Sequence, residues 1–495
     1  MKMLDQIEPR IDLLAASPGP GVDTTNASYH FIITQPGSYY LSGKLGVVKT
    51  NGIQINAEGV TLDLNGFHIT RAAGAGGIAI EIQETSHRAS VRNGTIKGFA
   101  SGILSSYAFL PAKGCAFRDL AVSACTDVGI NAGVGAVLES CRVHDSSGGD
   151  GISASVGSTL SNCSASNNTG NNSIGIRAGD GSTLSNCSAF LNTQIYGISA
   201  GNGSTLSNCS ASENTGNYGI ATGAGSTLNN CSAYNNTAIY GINAGTGSTL
   251  SNCSATFNRS NASTSAGFRI GNSCAVSHCN ASNNTSTAAT FTTLTGMGFN
   301  VSDTSTIQNC TAAGNRGHGV YAGSGCSILD CTISANGGFG ITALDACTMT
   351  RCTLRNNVGY GLLAGLDCVV SHCVAKGTTS SGVGFYVGAD SSITECTASG
   401  NTSDGIQLST RCRATNNNTS GNTGDGIDAS GAFNRIDGNH VAGNTGVGIR
   451  SAGTDFTVRN SVNGNTGGNL IPVPGGNVAP LQQAFSATNP WANLQ

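Results

Sequence analysis

The sequence carries little charge. Only 10% of its 495 residues are Asp, Glu, Lys or Arg, against about 25% in ordinary soluble domains. The net charge is -3 and no Lys/Arg run stands out, so neither nucleic acid nor an anionic membrane surface is an expected partner. Aromatic residues make up 5%, with one tryptophan, and there are 9 prolines. No stretch is apolar for long enough to span a bilayer. The opening residues, MKMLDQIEPRIDLLAASPGPG, lack the apolar core of a secretory signal. The chain therefore reads either as a mature form or as one not exported by that route. There is no G-x-S-x-G elbow, phosphate loop or HExxH helix. Nor is there a CxxC pair or a Cys/His cluster at zinc spacing.

What is abundant is small: 71 glycines and 19 cysteines, set among Ser, Thr and Asn. Such a composition could mean disorder, but here the apolar residues return in phase. GSTLSNCSA occurs at 157–165, 181–189, 203–211 and 247–255, and GSTLNNCSA at 225–233. Aligned on the cysteine, the slot runs from Leu120 and Cys141 to Asn417, Asn439 and Ser461, mostly in steps of 21 to 24 residues. Longer steps end at Cys279 and Cys310, which places insertions near 257–300. Two looser units, VTLDLNGFHI and ASVRNGTIKGF, come first. A period of this length indicates a solenoid, here of about 18 units.

One unit shows the geometry. Ser204 and Leu206 are two apart and share a strand face, as do Cys209 and Ala211. Leu206 and Cys209 are three apart, so both point inward only if the chain bends between them. Each unit thus reads as three short strands, at GI, STL and CSA, with Gly and Asn at the corners. Helical repeats fit poorly, because apolar spacing of three and four is not sustained and these residues are weak helix formers. The expected fold is all-β: a single parallel β-helix of about 18 coils. Its expected parts are a cap over 1–30, the solenoid over 31–461 and a tail or cap over 462–495. That tail holds the sole tryptophan, Trp491.

Twelve consecutive slots, Cys141 to Cys396, hold cysteine, and a second column lies five residues earlier at Cys115, Cys274, Cys326, Cys347, Cys368 and Cys412. Only Cys125 fits neither column. A residue needed in every copy is a building position. Cys163, Cys187, Cys209, Cys231 and Cys253 are therefore read as a structural ladder of reduced thiols, behaving as small apolar residues in a narrow interior. Stacked strands lie about 4.8 Å apart, wider than the roughly 3.8 Å between Cβ atoms of a disulfide.

IDGNHVAGNTGVGI (436–449) resembles the repeat of the right-handed parallel β-helix proteins of the pectin-lyase-like superfamily, in which an apolar residue is followed three later by a ladder asparagine. FIITQPGSYYLSGKL and NGIQINAEGVTLDLNGFHI near the start, and ATNPWANLQ at the end, are similar to a group of exported bacterial β-helix proteins. The resemblance spans nearly the whole chain and implies a right-handed coil and an extracellular or cell-surface location. The superfamily includes pectate lyases, polygalacturonases, alginate-modifying enzymes, phage tailspikes and proteins of no known activity, so it implies no single chemistry. This chain puts cysteine where the ladder asparagine is expected.

The superfamily's lyases use acidic calcium sites with a basic residue, and its polygalacturonases use grouped aspartates. A comparable patch falls near the C-terminal coils. Asp404 and Asp425, 21 residues apart, stack at about 5 Å. Asp428, Gln407 and Arg450 take outward positions beside them. Two carboxylates that close repel, which raises one pKa or invites Ca²⁺ between Asp404 and Asp425. They also suit a glycosidase pair. The plainer reading is turn chemistry, since Asp and Gly favour corners; Asp180, Asp303, Asp345, Asp367 and Asp390 read the same way.

Tyr196, Tyr218 and Tyr240 precede GI in successive units, and His318, Phe339 and Tyr360 recur at that place later. Such a column could hold a glycan; the plainer reading is a stack that stabilises the coil edge. Outward Thr/Ser pairs, from Thr159/Ser161 to Thr249/Ser251, form a flat hydroxyl face similar to those of ice-binding solenoids, though threonine favours strands anyway. Three functions follow in order: a polysaccharide-binding platform, a polysaccharide lyase or glycoside hydrolase built on the aspartate patch, and a structural, self-assembling or ice-binding rod.

Overall fold

The computed structural model describes residues 10–15, 19–71, 76–105, 111–170, 173–193, 195–287, 294–472, 477–484 and 487–495. Residues 1–9 and 16–18 of the expected cap and part of the expected 257–300 insertion lie outside these. The chain forms two compact units, residues 1–238 with 242–245, and residues 239–241 with 246–495. Each is an all-β parallel solenoid, and together they hold about 19 turns.

A coil of the first unit consists of Tyr196–Ala200, Thr205–Ser207 and Ser210–Ser212. Each strand pairs in parallel with its equivalent one coil earlier: Ile176 with Ile198, Leu184 with Leu206, Ala189 with Ala211. The second unit repeats the plan, for instance with Ile341–Ala343, Thr348–Thr350 and Thr353–Arg355. Ile198, Ser204, Leu206, Cys209 and Ala211 all face inward and are at most 1% exposed. The three strands and the bend between Leu206 and Cys209 are those the spacing predicts. Each buried Leu or Ile contributes roughly 1.5–3 kcal/mol.

Asn208 makes that bend in the left-handed region, at φ 52°, which asparagine tolerates better than most side chains. The same corner also accepts Arg351 and His372. Both turn outward and pair with the corner residue of an adjacent coil, Arg351 with Asp330 at 2.6 Å and His372 with Glu395 at 2.7 Å. The glycine of the GI strand has a different cause. A Cβ on Gly340 would lie 2.4 Å from the Gly361 carbonyl oxygen, so the coils close up only without one.

Three corner columns satisfy backbone N–H groups that the strand ladders leave over. In the slot column, Cys352 N–H donates to Cys373 Sγ (3.4 Å), Cys373 to Cys396 Sγ (3.3 Å) and Cys396 to Asn417 Oδ1 (2.9 Å). In the column five residues earlier, Cys347 donates to Cys368 Sγ (3.4 Å), Cys368 to Ser391 Oγ (2.8 Å) and Cys412 to Asn434 Oδ1 (2.8 Å). These corners therefore require a short side chain with an acceptor, and Ser, Cys and Asn all provide one. Cysteine here is more than a small apolar filler.

The third column adds an asparagine ladder that the spacing of the cysteines did not single out. It lies five residues after the slot: Asn192 N–H donates to Asn214 Oδ1 (3.1 Å), and Asn192 Nδ2 donates to the same oxygen (2.9 Å). In the second unit Asn315 donates likewise to Asn336, and Asn336 to Asn357. In the slot column itself Asn417 donates both its N–H and its Nδ2 to Asn439 Oδ1, so in the other coils cysteine does stand where a ladder asparagine is expected, and a second asparagine column runs five residues on. Cys125 belongs here too, its N–H donating to Ser146 Oγ (3.3 Å), whose own N–H meets Asn168 Oδ1 (3.1 Å).

At the start, Arg10–Asp12 pairs in parallel with Ser38–Tyr40, and Leu13 is buried. At the end, Asn477–Val478 pairs with Phe456–Thr457. Buried Asn493 accepts from both the N–H and Nδ2 of Asn460 at 3.0 Å.

Candidate functional site

The corner before each GI strand and the outward position after its isoleucine bring the acidic patch together. Gln407 lies beside Asp428, and Asp428 beside Arg450, on consecutive coils. Asp404 Oδ1 accepts the Asp425 N–H at 2.6 Å. Asp425 repeats this one coil on, accepting the Val447 N–H at 2.7 Å. Its other oxygen holds Arg450 Nε at 2.6 Å. Burial lifts the Asp404 carboxyl above its ordinary range, opposed by the Asp425 N–H and reinforced by the negative charges of Asp428 and Asp425. Asp425, by hydrogen bond and charge, raises the Arg450 guanidinium. A cation between Asp404 and Asp425 would have to displace Arg450 from Asp425. Among the described residues no three His, Cys, Asp or Glu side chains converge as metal ligands.

The first unit contains the same device. Asp150 accepts the Ile174 N–H at 2.8 Å and holds Arg177 Nε at 2.5 Å. An Asp–Arg corner used twice is a building element wherever it occurs. What distinguishes the later copy is its surroundings: Asp404 behind it, Asp428 and Gln407 beside it.

The tyrosines stack. Tyr196 and Tyr218 have centroids 5.1 Å apart and planes within 6°. Tyr240 starts the strand Tyr240–Ala244, and the Arg269 guanidinium lies 5.9 Å over its ring. In the second unit Phe339 stacks on Tyr360 at 4.8 Å, and Tyr360 on Tyr386 at 6.2 Å. Rings stacked along the coil axis turn their faces to one another and offer a passing ligand mainly edges. Tyr386, which sequence reasoning missed, sits in the outward row directly before Gln407. Its signal was the position after a buried strand residue, the place Gln407 and Asp428 also hold.

The hydroxyl pairs are in register, Thr159 with Thr183, Thr205 and Thr227, and Ser161 with Ser185 and Ser207. All 19 cysteines are free and buried. Cys163, Cys187, Cys209, Cys231 and Cys253 are each 1% exposed, and the Cys187 and Cys209 thiols donate to the carbonyls of Leu160 and Leu184 at 3.6 Å.

The family model described as "right handed beta helix region" matches residues 101–259, 240–368 and 363–466. The chain belongs to the right-handed β-helix family. No curated protein matches this β-helix in sequence. Solved structures similar to it include a double mutant of the periplasmic alginate epimerase AlgG, 9% identical, covering 78% of this chain and 82% of that one, TM-score 0.29. The Dettilon tailspike protein is 12% identical, with 68% and 60% covered, TM-score 0.33. The A-module of the Azotobacter vinelandii mannuronan C-5 epimerase AlgE4 is 12% identical, with 81% and 90% covered, TM-score 0.24. The β-helix thus spans 60% of the tailspike's length. No helix among its described residues is long and apolar enough to cross a membrane.

Proposed function

We propose that this β-helix is an exported or surface protein that holds polysaccharide along one side of its coils, with Cys163, Cys187, Cys209, Cys231 and Cys253 serving only as a structural ladder. The observation that carries this reading is the row Tyr386, Gln407, Asp428, Arg450, in register on four consecutive coils. It presents an aromatic edge, an amide, a carboxylate and a guanidinium at the coil spacing of about 4.8 Å. That spacing is close to the rise of one unit in an extended glycan, so successive sugars meet successive side chains. The test is retention on a panel of pectin, alginate, xylan and sulfated glycans. Retention that weakens at least tenfold in Gln407→Ala with Asp428→Ala supports the row; undiminished retention in that double variant removes it.

A catalytic reading of the same patch has one observation in its favour: Asp404, a carboxyl lifted by burial, lies beside Asp425 and Asp428. A carboxyl that burial disposes to keep its proton, set beside further carboxyl groups, is an arrangement hydrolases use, and Ca²⁺ at Asp404 and Asp425 would instead serve a lyase. Release of reducing ends or unsaturated products, abolished in Asp404→Asn and Asp425→Asn, would establish it.

A further inference from the structure

Away from the aspartate patch, near the C-terminal end, lies a pocket of about 540 Å³ lined by Arg435, Phe456, Val458, Asn477, Val478, Ala479 and Trp491. Its size falls within the range of small-ligand sites, and its lining is of their kind: mostly apolar, with few polar groups. Two features make it a built site. The rings of Phe456 and Trp491 remain 40% and 52% exposed, although each already carries a guanidinium over one face, Arg435 at 5.0 Å and Arg459 at 5.4 Å. Both guanidinium groups are fixed by one carboxylate. Asp437, with its side chain 5% exposed, accepts from Arg435 at 2.7 Å and from Arg459 at 2.6 and 2.8 Å.

Two cations on one buried anion leave the site net positive, and the Arg435 and Arg459 side chains are still 43% and 49% exposed. The occupant must therefore combine a negative charge with a flat apolar face. We infer that this pocket is a subsite for a uronate, a sugar bearing a carboxylate, with its C–H face against Trp491 and its carboxylate on Arg435. Asp437 takes the Nε and Nη2 edge of the Arg435 guanidinium at 3.2 and 2.7 Å and so holds the plane in place before the ligand arrives, leaving the Nη1 edge for the carboxylate. This assignment rests on the polysaccharide reading and narrows it to acidic polymers.

Trp491 is the only tryptophan in the chain, so its emission reports this pocket alone. The intact protein would be titrated with tetramers of galacturonate and mannuronate, with the fully methyl-esterified galacturonate tetramer, and with benzoate. The expected result is a saturable change in Trp491 emission with at least one uronate. The ester, the same sugar without charge, should bind at least tenfold more weakly, as should the uronate to Arg435→Gln. The ester comparison uses unaltered protein and so stands even if that variant folds poorly. Equal affinity for the ester, or displacement by benzoate at the same concentrations, would overturn the assignment. Silent Trp491 emission in a protein that the polysaccharide panel retains would overturn this subsite and leave the polysaccharide reading standing. Retention on no polymer would remove the polysaccharide reading itself.

Discussion

The backbone N–H of Cys326 points at the sulfur of Cys347, 3.3 Å away and one coil further along. The Cys347 thiol in turn donates to the Gly323 carbonyl at 3.0 Å. Serine can do both, valine neither. Cys347→Ser should therefore stay within about 1 kcal/mol of the parent, while Cys347→Val strands two buried backbone groups and costs roughly 1–3 kcal/mol. Urea midpoints followed by circular dichroism compare the two; equal midpoints would return cysteine to the role of apolar filler.

The asparagine column predicts a larger loss. Asn336 accepts from the N–H and Nδ2 of Asn315 and donates to the Ala312 carbonyl. Asn336→Ala removes all of these inside a buried corner and should cost at least about 2 kcal/mol. Hydrogen exchange should show the loss concentrated on neighbouring coils, because each coil contacts chiefly its neighbours.

Gly340→Ala should be as damaging without changing any polar group. The new Cβ would meet the Gly361 carbonyl 2.4 Å away, and overpacking of this kind costs about 1–3 kcal/mol. A thermal midpoint unchanged from the parent would mean that the coils can spread apart there.

His318 gives a pH dependence. It is 3% exposed and its Nδ1 accepts the Phe339 N–H at 2.9 Å. Burial pushes the imidazole down to about 4, against about 6.5 in the unfolded chain. The unfolded state thus takes the proton first as pH falls. Stability is fully present above about pH 6.5, declines by roughly 3 kcal/mol as pH falls to about 4, and then levels. Urea midpoints between pH 7 and pH 4, with and without His318→Gln, isolate this contribution.

Asp404 works in the opposite sense. Its carboxyl is raised, so ionising it at neutral pH opposes folding, and that burden is relieved as pH falls through its pKa. Asp404→Asn keeps the acceptor for the Asp425 N–H and sheds the charge, so it should raise the urea midpoint at pH 7. If the same variant loses polysaccharide retention or cleavage, the aspartate is maintained for function against stability.

The strands and the inward residues were legible in the sequence because both follow from local periods: Leu206 and Cys209 three apart force a bend, and 21 to 24 residues close a coil. The recurrence of Asp before Gly-Ile showed that Asp404 and Asp425 would stack. Those spacings could not reveal what each corner side chain bonds. Asparagine was legible only as a corner residue, yet Asn168 and Asn192 each reach across to a neighbouring coil, and Cys125 looked out of place until its column could be seen.

The sequence by itself determined a repeating all-β coil with buried thiols and an outward row containing Gln407, Asp428 and Arg450, because a fixed period sets both the inward face and the stacking register. Only the tertiary structure decided that Arg450 is held by Asp425 and that the tyrosine faces are spent on one another. It alone placed Trp491 and Phe456 around Arg435 over the buried Asp437. The coil period brings many of these residues alongside one another, as with Tyr196 and Tyr218, Arg435 and Phe456, or Asp437 and Arg459, but which side chain turns to which exists only once the coils are stacked.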